Sequence, residues 1–565
     1  MKKWTIGLIA IPFGILLGVL FQPLISGDNI YQQVKKFNTV LSTANKNYVD
    51  DVDTQKLVEA ALNGMLKELD PHSVYISAED MKRVQEDFSG NFEGIGIEFD
   101  ILKDTITVVS PIPGGPSDSL GILAGDKIVK IDGEDAVGLP RSDVPKKLKG
   151  PKGTIVEVDI KRPGEEDLIH YEIVRDKIPL NAVQTAFMLE DSDIGLVKIS
   201  KFSATTHSEM IETLTDLKKK GMEKLILDLR GNPGGYLTQA FLMADEFLPG
   251  GDTIVYTSGR KPEFFEVFKS TQRGLFHEIP LIVLIDAGSA SASEIVSGAV
   301  QDLDRGLVVG VTSFGKGLVQ RQYPLNDGSA FRLTISKYYT PSGRSIQRPY
   351  DDESEYRSLA GRFDVEEGEN IEHTFDKIKK EFENNDKYDV KITDELVIIT
   401  EKPEDEDDDP RIDTLEIFYT KSGRPVLGGG GITPDYVVKY DTVTKLRREI
   451  WSKNIYTRFV DEYMRKNGNK LRKQYEGKFT AFKKAFEITD DIMDDFEDFA
   501  EKAEVEWSDE DYETNGEQIR TAIKANIARA VWERSKYYEI IYENDRIVNK
   551  SKGLFPEATK IAGLR

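Results

Sequence analysis

At 565 residues the chain is long enough for about three or four domains. Its 98 acidic side chains outnumber its 75 basic ones, and the formal charge of −23 argues against nucleic acid as a partner. With no cysteine it can hold no disulfide, thiolate metal site, cysteine nucleophile or lipid-modified N-terminal cysteine.

In chain order, Lys2 and Lys3 precede an uncharged run from Trp4 to Ile25. That run is about long enough to cross a ~30 Å hydrocarbon layer. The positive charge ahead of it predicts a cytoplasmic N-terminus and an exported remainder. Residues 1–27 are therefore expected to anchor the chain in an inner membrane, with the remainder periplasmic. A cleaved signal peptide is the alternative, but no small-x-small cleavage site follows the run.

Residues 28–87 read as helical, with Leu57, Ala61, Met65 and Leu69 at helical spacing before the helix-ending "DPHS". Over 88–177 the period changes to short strands broken by Gly, Pro and Asp, as in "TITVVSPI" and "DKIVKIDG". Residues 178–349 alternate strand and helix: "IGLVKIS", "SEMIETLTDLKKKG", "EKLILDLRGN", "YLTQAFLMADEFL", "PLIVLID" and "SASEIVSGAVQDL" follow one another. That alternation predicts a layered α/β domain. Residues 350–415 are an acidic insertion, expected to contain some helix, with "EDEDDD" at Glu404–Asp409. "FYTKSGRPV" (418–426) echoes "YYTPSGRSI" (338–346), through either a local duplication or two similar turns. The α/β domain is expected to resume over 416–440, at "GGGGITPDYVV". Residues 441–565 carry aromatic and aliphatic residues at helical intervals, which read as the core of a helical region.

The chemistry-bearing stretch is "GSASASEIVSG", Gly288–Gly298, directly after the β-branched run "PLIVLID". A serine nucleophile needs a base. None of the five histidines (His72, His170, His207, His277, His373) sits in a Gly-flanked setting, and no Gly-x-Ser-x-Gly elbow occurs. A lysine base must be neutral, so its pKa must fall from ~10.4 toward 7–8, a cost of roughly 4 kcal/mol. A lysine between glycines after a strand meets that need, and "VTSFGKGLVQ" places Lys316 there. Earlier, "FEGIGIEF" offers consecutive backbone N–H groups at Gly94, Ile95, Gly96 and Ile97. Such a nest can capture a peptide's terminal carboxylate while the peptide adds as a strand. No metal-ligand cluster is visible, and no cofactor is implied.

Together with "GPSDSLGILAGDKIVKIDG", the GIGI loop resembles a PDZ domain. "LDLRGNPGG", "GSASASEI" and "SFGKGLVQ", in that order, resemble the carboxyl-terminal processing (tail-specific) proteases. The resemblance covers roughly Val34–Gln347 and the Gly428–Val438 piece. It implies a multidomain α/β protein: a helical N-terminal segment, a β-rich PDZ domain, a crotonase/ClpP-like α/β protease core and a helical C-terminal region. It implies a Ser-Lys serine endopeptidase that cleaves exported proteins after its PDZ domain takes their C-terminus. Carried over by motif, Ser291 is the nucleophile, Lys316 the general base and Gln320 the residue that orients it. Gly234 and Ala292 supply the oxyanion N–H groups. Ser289 and Ser293 are expected to bond locally, and Glu294 and Asp302 to be supporting carboxylates. Protein or peptide substrates with exposed C-termini are the implied partners, with an adaptor or a second copy of the chain as further ones. Lys149 departs from the pattern, because the family often has arginine there to couple peptide binding to activation, and lysine lacks the bidentate fork. Two other readings stay open: a catalytically inactive PDZ scaffold and a crotonase-like acyl-thioester enzyme.

Overall fold

A computed structural model describes residues 30–162, 165–350, 388–393, 396–401, 411–475, 477–532 and 534–564. The Trp4–Ile25 run and most of the acidic 350–415 segment lie outside them. No helix among the described residues is long and apolar enough to cross a membrane.

The chain forms two compact units. The first holds the described residues up to Ser77 together with Gln322–Leu333. Its helix Thr54–Lys67 starts at Asp53, whose side chain accepts from the Lys56 N–H. Of the residues at helical spacing, Leu57, Met65 and Leu69 are exposed and Ala61 is half-buried, whereas Leu66 is buried and Val58 and Leu62 are half-buried. Two apolar stripes lie about 100° apart here, and spacing alone does not say which one the fold covers. The helix Ile30–Asn47 buries none of its residues and exposes Ile30, Val34 and Phe37 along one side.

The second unit runs over 78–321 and from Thr334 onward. A sheet in the order Ile97–Leu102, Thr105–Pro111, Lys127–Ile131, Ile155–Lys161, Ile169–Val174 forms the β-rich domain, entirely by antiparallel pairing. Ile97–Leu102 is an edge strand of that sheet. The α/β domain is built on a six-stranded sheet in the order Val183–Met188, Ile194–Ile199, Lys224–Asp228, Leu281–Ile285, Leu307–Gly310, Tyr436–Val437. Only the first pair is antiparallel. The last strand comes from the segment after the acidic insertion, so the "GITPDYVV" piece completes the sheet.

A parallel sheet needs cover on both faces, and period-2 alternation divides its residues between them. Leu225, Leu227, Leu281 and Val283 pack toward the helices Thr206–Lys219, Leu237–Asp245 and Ala292–Asp302. Ile226, Ile282, Leu284 and Val309 pack toward Tyr542, Ile547, Val548 and Phe555. The last helices of the C-terminal region therefore serve as the second layer of the α/β domain. Each fully buried side chain of this kind adds roughly 1.5–3 kcal/mol over exposure, so the face could not stand bare. The helices before them build a separate aromatic core in which Phe459 meets Phe496 edge-on at 5.1 Å.

The described part of the insertion is strand, not helix: Tyr388–Ile392, Leu396–Glu401 and Arg411–Tyr419 pair antiparallel in sequence. The echoed motifs form turns with the same bonds. Gly343 and Gly423, both at positive φ, donate to the carbonyls of Thr340 and Thr420, each at 2.9 Å. Their arginines grip one helix end. Arg344 reaches Asp302 at 2.7 Å and Arg424 reaches Asp304 at 2.8 Å.

Candidate active site

The strands Lys224–Asp228 and Leu281–Ile285 run parallel, and their carboxyl ends open side by side into the loops 229–235 and 286–291. Such strand ends are where open α/β sheets hold ligands. Ser291 is the N-cap of the fully buried helix Ala292–Asp302, with φ 55° and ψ −110°. A β-carbon disfavours that backbone, which persists only where its surroundings impose it. Glu294 does so by accepting the Ser291 N–H at 2.7 Å.

The three serines differ sharply. The Ser289 hydroxyl is buried and donates to the Leu229 carbonyl at 2.8 Å. That of Ser293 is buried and donates to the Asn232 carbonyl at 2.9 Å. Ser291 is half-buried at the helix mouth.

Glu294 is the hub of the site. One carboxylate oxygen accepts from the backbone N–H groups of both Ser291 and Lys316, at 2.7 and 2.9 Å. The other accepts from the Ser313 hydroxyl at 2.5 Å and the Gly315 N–H at 2.7 Å. One buried carboxylate thus sets the Ser291 and Lys316 backbones two hydrogen bonds apart. Burial pushes its pKa above the usual carboxylate range, against the four donors, which favour the anion. Its folded pKa exceeds its unfolded one, so its share of stability is complete below the unfolded value and is lost as pH rises through the folded value. Glu294 therefore costs stability near neutrality while fixing the site's geometry.

Lys316 is half-buried, and its Nζ donates to Gln320 Oε1 at 3.1 Å. The buried Tyr338 hydroxyl lies 3.0 Å from the Ser291 carbonyl and 2.7 Å from the Lys316 carbonyl. Gly234, at φ 98°, faces the Ser291 turn. A Cβ there would stand 2.7 Å from the Ala290 carbonyl oxygen, 2.8 Å from Ser291 Cβ and 2.9 Å from the Ala292 nitrogen. Its own N–H donates to Asn232 Oδ1 at 2.9 Å, so it is engaged within the chain.

Beneath this loop lies a buried charge network. Arg230 binds Asp228 through Nη2 at 2.7 Å. Burial opposes ionisation of Asp228, but the charges of Arg230 and Lys198 outweigh it and hold its carboxyl well below the usual range. Tyr542 donates to the same carboxylate at 2.5 Å, and Asp545 pairs with Arg230 at 2.9 Å. The histidines lie in other settings: His207 pairs with Glu246, and His170 with Asp159. His373 falls outside the described residues.

In the PDZ domain the carbonyls of Ile95 and Gly96 accept from Ser117 and Ile112. Gly96 has φ 75°. Lys149 pairs with Glu86 at 2.6 Å and lies over the Phe92 ring.

Sequence reasoning missed Asn232, Tyr338, Tyr542 and Asp545. "RGNPGG" does carry a signal for the first, since Asn before Pro marks a turn. The others are aromatic or acidic residues in ordinary strand or helix contexts and carry no local signal.

Residues 193–352 match the model of peptidase family S41, 107–162 a PDZ domain, and 24–80 the N-terminal domain of the activating protease CtpB. Residues 446–533 match a family of unknown function. A carboxy-terminal-processing protease of Bartonella bacilliformis is 42% identical over 324 residues, 57% of this chain and 74% of that protein. Carboxy-terminal processing protease CtpA of Bacillus subtilis is 36% identical over 327 residues, covering 57% and 68%. Among solved structures, the photosystem II D1 C-terminal processing protease is 27% identical, covering 55% of this chain and 89% of that one, with a TM-score of 0.31.

Proposed function

The chain belongs to the carboxy-terminal processing protease family, serine-type peptidases, and we propose that it cleaves with a Ser291–Lys316 dyad after its PDZ domain takes a substrate's C-terminus. The observation that carries the dyad is the shared Glu294 oxygen between the two backbones. Neutral Lys316, held by Gln320, takes the Ser291 hydroxyl proton as Oγ attacks the scissile carbonyl carbon. The ammonium then gives that proton to the leaving amine, and water hydrolyses the acyl-enzyme. Ala292, at the helix N-terminus, offers its N–H to the oxyanion. Gly234 offers a second donor once its N–H exchanges Asn232 for that oxygen.

The peptide adds along the edge strand Ile97–Leu102, its carboxylate at the Gly94–Ile97 loop. Exported substrates and an N-terminal anchor at 1–27 follow from the Trp4–Ile25 run. The bare apolar side of Ile30–Asn47 suits a second copy of the chain or an adaptor.

The test compares one unstructured peptide with an apolar free C-terminus against its C-terminal amide. Loss of charge-assisted bonds worth about 1.5–3 kcal/mol should raise KM about 10- to 100-fold and leave kcat nearly unchanged. Equal KM for both, or no cleavage of either, would refute the reading.

Gly234→Ala is expected to cut kcat at least about 100-fold, because rigid backbone atoms meet the added methyl and a donor is displaced. A steady-state assay alongside a melting curve checks this, and near wild-type kcat would show that the loop does not face the reacting carbon.

A further inference from the structure

The C-terminal helical region touches the PDZ domain and the site loop at the two ends of one short segment. The strand Ile97–Leu102 sends Ile97, Phe99 and Ile101 toward the PDZ core. Its intervening residues point the other way. There Glu98 pairs with Arg529 at 2.7 Å and Arg534 at 3.6 Å, and Asp100 meets Asn454 and Arg141. Val460, Met464 and Ala530 close over Leu102 and Val109 around a cavity of about 70 Å³. The strand on which a peptide would add is thus held on its outer face by the helix Asp509–Val531 and its neighbours.

The same stretch of chain then continues through the helix Arg534–Ile541 to Tyr542 and Asp545. These bind Asp228 and Arg230, the two charged residues that lead into Gly231–Gly235. Tyr542 also lies beneath the Arg230 guanidinium, its ring centroid 5.7 Å away. Arg230 in turn is fixed to the sheet, because Lys198 Nζ donates to its carbonyl at 2.9 Å. Beyond it the Gly231 N–H donates to Asp286 Oδ1 at 2.8 Å, and Tyr440 donates to Oδ2 of the same carboxylate at 2.9 Å. The base of the loop is thus anchored by the sheet, by Asp286 and by the C-terminal part of the chain.

We propose that the segment Arg529–Asp545 is a strut that couples peptide occupancy of the Ile97–Leu102 strand to the position of the Gly231–Gly235 loop, with Tyr542 and Asp545 as positioning residues. A peptide adding to the edge pulls the strand's backbone toward it. Glu98 and Asp100, on alternate residues of that backbone, carry the displacement to Arg529 and Arg534. Tyr542 and Asp545 deliver it to the Asp228–Arg230 pair. Gly234 then moves against the Ser291 turn, where space is so tight that its missing Cβ would clash on three sides. The strut supplies a route from peptide to site independent of Lys149. It rests on the reading of Ser291 as nucleophile and of the PDZ edge as the peptide site.

Hydrogen exchange tests it without needing turnover. The full chain carrying Ser291→Ala is titrated with a peptide ending in an apolar residue and a free carboxylate, and exchange is followed over 229–236. Peptide is expected to change exchange there at least about threefold, and Arg529→Gln to abolish the change while peptide affinity stays within about twofold. In the active protein, Tyr542→Phe removes one hydrogen bond to a charged group and should lower kcat about tenfold with KM unchanged. It should also weaken a peptide boronic acid, which forms a tetrahedral adduct on the serine, by the same factor, with the melting temperature held within a few degrees. A peptide-induced change that survives Arg529→Gln, no change on peptide addition, or a Tyr542→Phe enzyme with wild-type kcat and boronate affinity each overturn the strut. Those results leave the dyad standing if wild-type cleavage depends on Ser291. If Ser291→Ala cleaves, the dyad falls instead.

Discussion

Replacing Ser291 by alanine should abolish peptide cleavage, with kcat down about 10⁴-fold or more, while the melting curve barely moves. Ser291 is half-buried, and its backbone rather than its hydroxyl carries the Glu294 bond, so the fold keeps that anchor. The neighbouring serines should behave in the opposite way. Ser289→Ala and Ser293→Ala each remove a buried hydroxyl that donates to a backbone carbonyl. Each carbonyl keeps a backbone donor, the Asn232 N–H at Leu229 and the Ala290 N–H at Asn232, so each substitution should cost about 0.5–1.5 kcal/mol of stability while retaining measurable turnover. The measurement is cleavage of one peptide by all three variants beside their thermal melts. Near wild-type turnover by Ser291→Ala, or complete loss in Ser289→Ala with a wild-type melt, would remove Ser291 from the centre of the mechanism.

The motif register separated these serines only by resemblance, since three identical side chains at alternate positions look alike in one dimension. What distinguishes them physically is the chain reversal at 286–291. It turns Ser289 toward Leu229 and leaves Ser291 at the mouth of a helix whose next residues are all buried. Lys316 stood out in the sequence because glycines flank it, and those glycines have structural reasons. Gly315 sits at φ 88° against Gly431, and a Cβ at Gly317 would meet Gln347. Long-range partners left no such trace. Tyr542 and Asp545 lie more than 300 residues from Asp228 and Arg230, and no local period marks them. The sequence reading made 441–565 one helical region. In the structure the burial of Ile226, Ile282 and Leu284 requires its last helices as a second layer for the protease sheet. Only the whole sheet, read as parallel and therefore covered twice, would have raised that need. The helix Thr54–Lys67 shows the same limit locally, where two apolar stripes were equally readable and tertiary contact chose between them.

Lys316→Arg should be as inactive as Ser291→Ala at every pH, because arginine keeps its proton under any usable condition and cannot accept one from a hydroxyl. For the wild-type enzyme the chemistry demands the neutral amine. Activity should therefore rise with pH along a single ionisation, with a midpoint below the ~10.4 of a free lysine. A histidine base would give a rise centred near 6.5 instead, but His207 is paired with Glu246 and His170 with Asp159. His207→Ala and His277→Ala should accordingly leave kcat within about twofold. Gln320→Ala removes the Lys316 Nζ partner seen at 3.1 Å and should lower kcat about tenfold without the total loss that follows removal of the base. Following kcat/KM from about pH 5 to 10 for the wild type and these variants decides the matter. The Ser-Lys assignment would be overturned by a Lys316→Arg enzyme that turns over. It would be overturned equally by a wild-type profile that disappears when one histidine is removed and the fold is intact.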